Sequence, residues 1–319
     1  MALLSILIGI LLLWFGGTYF VRGSVAIAQR LKVSELMIGL TLVGFGTSLP
    51  ELVTSIGAAL SGSPGLAVGN VVGSNIANIL LILGLVALVR PFSCHMASFN
   101  RDALVLSAAT LIGVVIILNG SIGMAHGVAM LVALLAYITV AYVTEQKAAP
   151  ADGKVASMTL PPAAAAPPSP VLLVCIWVIA GLAAVIVGAW LLIDGAVELA
   201  TFWGVSKTFI GLTVVAVGTS VPELMITLIA ALRGQSDIAV GNVIGSNIFN
   251  LLGILGLTSM VTTINIPADL TAFDLTAMAL AAAALIAVAG LQKHFGRVSG
   301  AIFVASYITY TLSRAQFAA

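Results

Sequence analysis

GLTLVGFGTSLPELVTSIGAALSGSPGLAVGNVVGSNIANILLILGL, residues 39–85, returns 172 positions later as GLTVVAVGTSVPELMITLIAALRGQSDIAVGNVIGSNIFNLLGILGL, residues 211–257. The copies align without a gap and 29 of the 47 pairs are identical, which chance does not produce. Each copy is apolar enough for two helices, yet the first helix carries one carboxylate, Glu51 or Glu223, and the second a run of small polar residues. This internal repeat decides both the architecture and the chemistry.

Outside the repeat, composition sets the solvent. Of 319 residues, 61% are hydrophobic and 7% charged, against about 25% charged in a soluble domain. Together with a mean hydropathy of +1.21, this excludes a soluble globular protein. A formal charge of +1 leaves no basic face for nucleic acid and no acidic tail. Cys94 and Cys175 offer neither a disulfide framework nor metal-ligand spacing. The first 21 residues begin MALLS, without the basic region of a cleaved signal peptide, and read as a first span.

A helix needs about 20 apolar residues to cross the hydrocarbon layer. Ten segments approach that length: 2–21, 36–60, 66–89, 103–119, 124–143, 171–193, 208–232, 238–261, 274–291 and 298–313. The expected fold class is therefore an all-α membrane protein of ten transmembrane helices. Residues 144–170, rich in Ala and Pro, cannot bury enough apolar surface to fold alone and read as a linker. The domains are then an N-terminal five-helix repeat, 1–143, the linker, and a C-terminal five-helix repeat, 171–319. An odd number of spans per half makes the second copy enter the membrane upside down. Such inverted repeats recur in transporters whose site lies near the midplane.

Ten of the twelve Lys and Arg fall on the linker side and only Lys207 and Arg314 opposite, which makes the linker cytoplasmic and both termini external. The expected location is the cell (inner) membrane. The external face is biased toward acid by Asp194, Glu198, Asp269 and Asp274.

Ser48 and Ser220 fall at the centres of spans two and seven, so Glu51 and Glu223 lie deep in the bilayer. A charge there costs about 2.5–3.5 kcal/mol on insertion scales and needs a partner. Pro50 and Pro222 lack an N–H, so each helix opens around its GTS segment and frees the carbonyls of Gly46, Thr47, Gly218 and Thr219. Freed carbonyls at this depth must line a cavity or meet a ligand. Ser74 and Asn78 share one face of the partner helix, as do Ser246 and Asn250. Carbonyls, hydroxyls, amides and carboxylates are all oxygen donors, the set that hard cations such as Ca2+ take six to eight at a time. Gly69, Gly73, Gly241 and Gly245 read as a small-residue packing stripe, and Asn70, Asn75, Asn242 and Asn247 as helix-bonding residues.

The segments GTSLPE/GNVVGSNIAN and GTSVPE/GNVIGSNIFN closely resemble the two alpha-repeats of the calcium/cation antiporter superfamily, especially prokaryotic sodium/calcium exchangers. The resemblance implies a secondary antiporter that exports Ca2+ in exchange for Na+ by alternating access at a midplane site. Glu51 and Glu223 carry over as shared carboxylates and Thr47 and Thr219 as carbonyl donors. Ser48, Ser220, Ser74, Ser246, Asn78 and Asn250 match flanking ligands, with Gly44 and Ala216 as further backbone contributors. Spans one and six are expected to slide together over a fixed core. No cofactor is implied, Ca2+ and Na+ being substrates, and no obligatory protein partner is evident beyond the lipid bilayer. One position departs: characterised members can have Asp where this chain has Asn250, which leaves stoichiometry and counter-ion open.

Three other classes compete. A Ca2+/H+ antiporter on the same scaffold is the alternative. An intramembrane enzyme needs a base beside Ser48 or Ser220, and His95, His126 and His294 all fall at loops or span ends. A passive channel could also be lined with oxygens.

Overall fold

The computed structural model describes residues 2–93, 96–148, 170–203, 218–266, 272–292 and 294–317. In chain order the first half holds α1 (Ala2–Leu31), α2 (Glu35–Thr47), α3 (Leu49–Leu60), α4 (Gly65–Val89), α5 (Met96–Leu118) and α6 (Met124–Ala148). The second half holds α7 (Val171–Phe202), α8 (Val221–Leu232), α9 (Ser236–Val261), α10 (Ala272–Gln292) and α11 (Arg297–Phe317). Seven helices among the described residues are long and apolar enough to cross a membrane, eight if α2 and α3 count as one bent span. The protein is thus a nearly all-helical membrane protein. The first part of the expected span 208–232 lies outside the described residues.

Several helices outrun their expected spans. α1 continues from residue 21 to Leu31 and α7 from 193 to Phe202. Charged residues mark where the apolar slab ends, but a helix satisfies its own backbone in water as well. α6 runs to Ala148, into the stretch read as linker. There Glu145 accepts 2.8 Å hydrogen bonds from both Ser34 N–H and Ser34 Oγ, while the Ser34 hydroxyl caps α2 by accepting from Met37 N–H at 3.0 Å. Gln146 Nε2 donates to the Leu31 carbonyl at 2.8 Å, so the end of α6 holds the α1–α2 corner from both sides.

The halves interlock reciprocally. β1 (Phe92–Ser93) pairs with β4 (His294–Phe295), and β2 (Ser121–Ile122) pairs with β3 (Ile264–Asn265), both antiparallel. Each strand of one half therefore meets a strand of the other. Asn75 Nδ2 donates to the Asn247 carbonyl at 3.3 Å, and Asn247 Nδ2 returns the bond to the Asn75 carbonyl at 3.4 Å. Contacts in which residue i meets j while j meets i are the mark of a two-fold relationship.

α1 and α7 pack along most of their lengths in opposite directions. Gly9 faces Gly188, Gly16 faces Gly181, and Ala2 faces Gly195. A Cβ on Gly16 would sit 2.9 Å from the Gly181 carbonyl oxygen, and one on Gly181 would sit 2.8 Å from that of Gly16. Only hydrogen fits at this seam. Gly241 and Gly245 likewise take the α2 backbone from Leu36 to Leu40, as their small-residue stripe predicts. The repeat-related partner of Gly69 and Gly73, around 208–212, lies outside the described residues.

Candidate functional site

Pro50 and Pro222 set the local geometry. α2 stops at Thr47 and α3 restarts at Leu49, with a bend of 44° and Ser48 at φ −85°, ψ 8°. Ser220 has the same conformation, φ −90°, ψ 7°, ahead of α8. Both serines sit in the sparsely populated bridge region, where helical hydrogen bonding is interrupted. Each break puts its glutamate in the first turn of the following helix.

The breaks point at each other. Ser48 Oγ donates to Glu223 Oε1 at 3.0 Å and Ser220 Oγ to Glu51 Oε1 at 3.5 Å, so each serine of one repeat holds the acid of the other. Both glutamates are 1% exposed.

Asparagines brace this pair from behind. Asn70 Nδ2 donates to the Glu51 carbonyl at 3.3 Å and to Ser55 Oγ at 3.0 Å. Asn242 Nδ2 does the same to the Glu223 carbonyl at 3.3 Å and Thr227 Oγ1 at 2.9 Å. Asn78 Nδ2 donates to Asn247 Oδ1 at 3.1 Å and Asn250 Nδ2 to Asn75 Oδ1 at 3.0 Å. Asn78 and Asn250 lie on π-helical turns, Ala77–Leu83 and Phe249–Ile254, a distortion frequent at functional sites. Asn70, Asn75, Asn242 and Asn247 are therefore helix-bonding residues, as their sequence pattern suggests.

With those bonds made, five buried side-chain oxygens among the described residues have no partner: Thr258 Oγ1, apart from the glutamates, and four here, Glu51 Oε2, Glu223 Oε2, Asn78 Oδ1 and Asn250 Oδ1. These four form two repeat-related pairs. Buried polar atoms are almost always hydrogen-bonded, so four orphan acceptors on helices packed against one another, two of them carboxylate oxygens, call for a positive ligand. Among the described residues no group of three or more His, Cys, Asp or Glu stands together. The orphan set is all oxygen, which suits a hard cation.

The remaining expected residues fall around this centre. Ser246 Oγ donates to the Gly44 carbonyl at 3.1 Å, so that carbonyl is already engaged. Ser74 is buried at the equivalent place, but its repeat-related partner, Ala216, lies outside the described residues. Thr47 is buried, its hydroxyl 3.1 Å from Asn242 Oδ1 and bonded to the Val43 carbonyl at 3.1 Å. Thr219 is half-buried at the second break.

Two acidic clusters escape the motif reading. Tyr137 Oη donates to Asp102 Oδ1 at 3.1 Å and Arg101 Nε to the same carboxylate at 2.7 Å. Tyr310 Oη donates to Asp274 Oδ1 at 3.0 Å, with Arg314 Nε 3.1 Å away. Asp274, counted by sequence among the external acids, is in fact 2% exposed and paired. The signal was available, because Asp102 and Asp274 keep the 172-residue offset beyond the aligned segment.

Comparison with known proteins gives the family and the fold. A family model described as sodium/calcium exchanger protein matches residues 1–143 and 173–315. CaxA of Alkalimonas amylolytica is 37% identical over 97% of each chain. The sodium/calcium exchanger MaX1 of Methanosarcina acetivorans is 31% identical over 85% of each. A structure of the sodium-calcium exchanger NCX_Mj, soaked with 2.5 mM Na+ and 0.1 mM Ca2+, superposes with a TM-score of 0.82 at 33% identity, covering 98% of both chains. The orphan oxygens thus sit in a protein of known kind, and the chain belongs to the sodium/calcium exchanger family.

Proposed function

We propose that this protein is a secondary antiporter that exports Ca2+ in exchange for Na+ across the cell membrane, the two cations competing for the oxygens around Glu51 and Glu223. The carrying observation is the quartet of unpartnered buried oxygens, Glu51 Oε2, Glu223 Oε2, Asn78 Oδ1 and Asn250 Oδ1. With both glutamates ionised, one Ca2+ neutralises the pocket. Ser48, Ser220, Ser74 and Ser246 supply hydroxyls, and Thr47, Thr219, Gly44 and Ala216 backbone carbonyls, as further ligands. Family membership supports Na+/Ca2+ exchange.

In this reading the chain crosses the bilayer ten times as two inverted five-helix repeats, 1–143 and 171–319, joined by a cytoplasmic linker, 144–170, with both termini outside. The reciprocal pairing of β1 with β4 and β2 with β3 supports the two-fold. Alternating access then requires that α1 and α7 move as one body over the broken helices, and that the empty carrier, with two bare carboxylates, does not readily cross.

The test is labelled-calcium uptake into proteoliposomes under a sodium gradient, with pH clamped, and then under a pH gradient with sodium absent. Uptake against the calcium gradient in the first arm supports Na+/Ca2+ exchange. Uptake only in the second assigns Ca2+/H+ exchange, and downhill flux alone would make the protein a channel. Glu51→Gln and Glu223→Gln should each abolish transport while leaving insertion intact; near-normal exchange in either variant overturns the site.

A further inference from the structure

α1 leaves its apolar stretch at Arg22, and α8 ends at Leu232, immediately before Arg233. Both arginines are exposed at the ends of apolar helical stretches, the level at which phospholipid headgroups lie. Arg233 Nη2 donates to Thr18 Oγ1 at 3.1 Å. Thr18 and Arg22 are four residues apart on one face of α1, so this bond draws the second guanidinium alongside the first. The two charges act on each other. Neither is paired with a carboxylate among the described residues.

Two cations gathered by a neutral hydroxyl repel one another unless an anion joins them. The flank of the pair is aromatic. The Arg22 guanidinium lies 5.8 Å from the centre of the Tyr19 ring, and Tyr19 stands 6.3 Å from Trp177 on α7. Tyr and Trp are the side chains that settle at the boundary between headgroups and acyl chains. The pair is not inherited from the repeat, since the positions 172 residues away from Arg22 and Arg233 are Asp194 and Ser61. A feature present on one face of a two-fold molecule answers to something that differs between the faces.

We propose that Arg22 and Arg233 form a site for the phosphate of an anionic phospholipid, with its upper acyl chains against Tyr19 and Trp177. Guanidinium forks match phosphate oxygens bidentately, and one phosphate between the two neutralises their repulsion. Because Arg22 belongs to α1 and Arg233 follows α8, the bound lipid fastens these helices to each other. Free phosphate would satisfy the arginines but leave the aromatic flank unused.

Native mass spectrometry of the purified protein, titrated with phosphatidylglycerol or phosphatidylcholine in the absence of Na+ and Ca2+, tests the site without reference to exchange. Phosphatidylglycerol is expected to be retained in preference to phosphatidylcholine. Arg22→Gln combined with Arg233→Gln should weaken its retention about thirtyfold, about 1 kcal/mol per cation removed, with phosphatidylcholine unaffected. Thr18→Val keeps both charges but frees Arg233, and should give a smaller loss. Should the double variant fail to fold, Arg22→Gln alone, on the exposed surface, decides the matter. Unchanged phosphatidylglycerol retention in a folded variant lacking Arg22 overturns the proposal, and so does displacement of the lipid by millimolar inorganic phosphate.

Discussion

Ser48 reaches across to Glu223 at 3.0 Å, whereas its repeat-related twin Ser220 stands 3.5 Å from Glu51. The hydroxyl at the break of one helix thereby fixes the carboxylate of the other, and does so unequally. A hydrogen bond to a charged group contributes about 1.5–3 kcal/mol, and 1.4 kcal/mol is about tenfold in affinity. Ser48→Ala should therefore raise the calcium concentration for half-maximal uptake by roughly tenfold or more, and Ser220→Ala by less. A larger effect at Ser220 would contradict the observed asymmetry.

Asn75 and Asn247 form the polar seam between α4 and α9. Each donates to the other's carbonyl, and each offers its Oδ1 to the amide that carries an orphan oxygen, Asn250 and Asn78 respectively. Removing one leaves several buried groups unpaired at about 1–3 kcal/mol each. Asn75→Ala should lower the thermal midpoint and also weaken calcium binding, because Asn250 loses the bond that orients it. Asn247→Ala should match it, acting through Asn78. Thermal unfolding with and without Ca2+ reads both effects, and loss of stability with unchanged calcium affinity would reduce the seam to packing.

The contact between α1 and α7 tolerates no added methyl group. A Cβ at Gly16 would lie 2.7 Å from Ala184 Cβ and 2.9 Å from the Gly181 carbonyl oxygen. Backbone cannot yield as a side-chain tip can, so Gly16→Ala must push the helices apart, at a cost of about 1–3 kcal/mol. The expected result is a lower exchange rate with near-normal calcium affinity, since the orphan oxygens are on other helices. Initial rates over a calcium titration separate the two, and a normal rate would show that α1 and α7 need not move as one body.

What could be read from the chain beforehand follows from what each level encodes. Glu51 and Glu223 were conspicuous because a charge amid apolar residues needs a reason, and Pro50 and Pro222 marked the helix breaks because proline lacks a donor. The bonds from Asn70 to Ser55 and from Asn242 to Thr227 join residues fifteen positions apart on neighbouring helices. No helical period reports such a contact. Helix ends such as Leu31, Phe202 and Ala148 were hidden because hydropathy registers the bilayer and not the backbone. The β1–β4 and β2–β3 pairings were also illegible, since two-residue strands carry no pattern of alternation.

Asp102 and Asp274 are also buried acids, but they lie outside the proposed cation site. Asp102 is 0% exposed and is held by Arg101 and Tyr137; Asp274 is held by Tyr310 and Arg314. Unlike Glu51 and Glu223, neither has an orphan oxygen. Their charge is met by protein, so they should fasten α5 to α6 and α10 to α11 without touching the transported ion. Tyr137→Phe and Tyr310→Phe each remove one bond to a charged group and should cost about 1.5–3 kcal/mol of stability. Asp102→Asn should cost more, since it removes the charge that both Arg101 and Tyr137 bond. In all three the calcium concentration for half-maximal uptake should stay at the wild-type value in the protein that remains folded. A loss of calcium affinity comparable to that of Glu51→Gln would mean that a buried acid is enough, and that unpartnered oxygens do not identify the site.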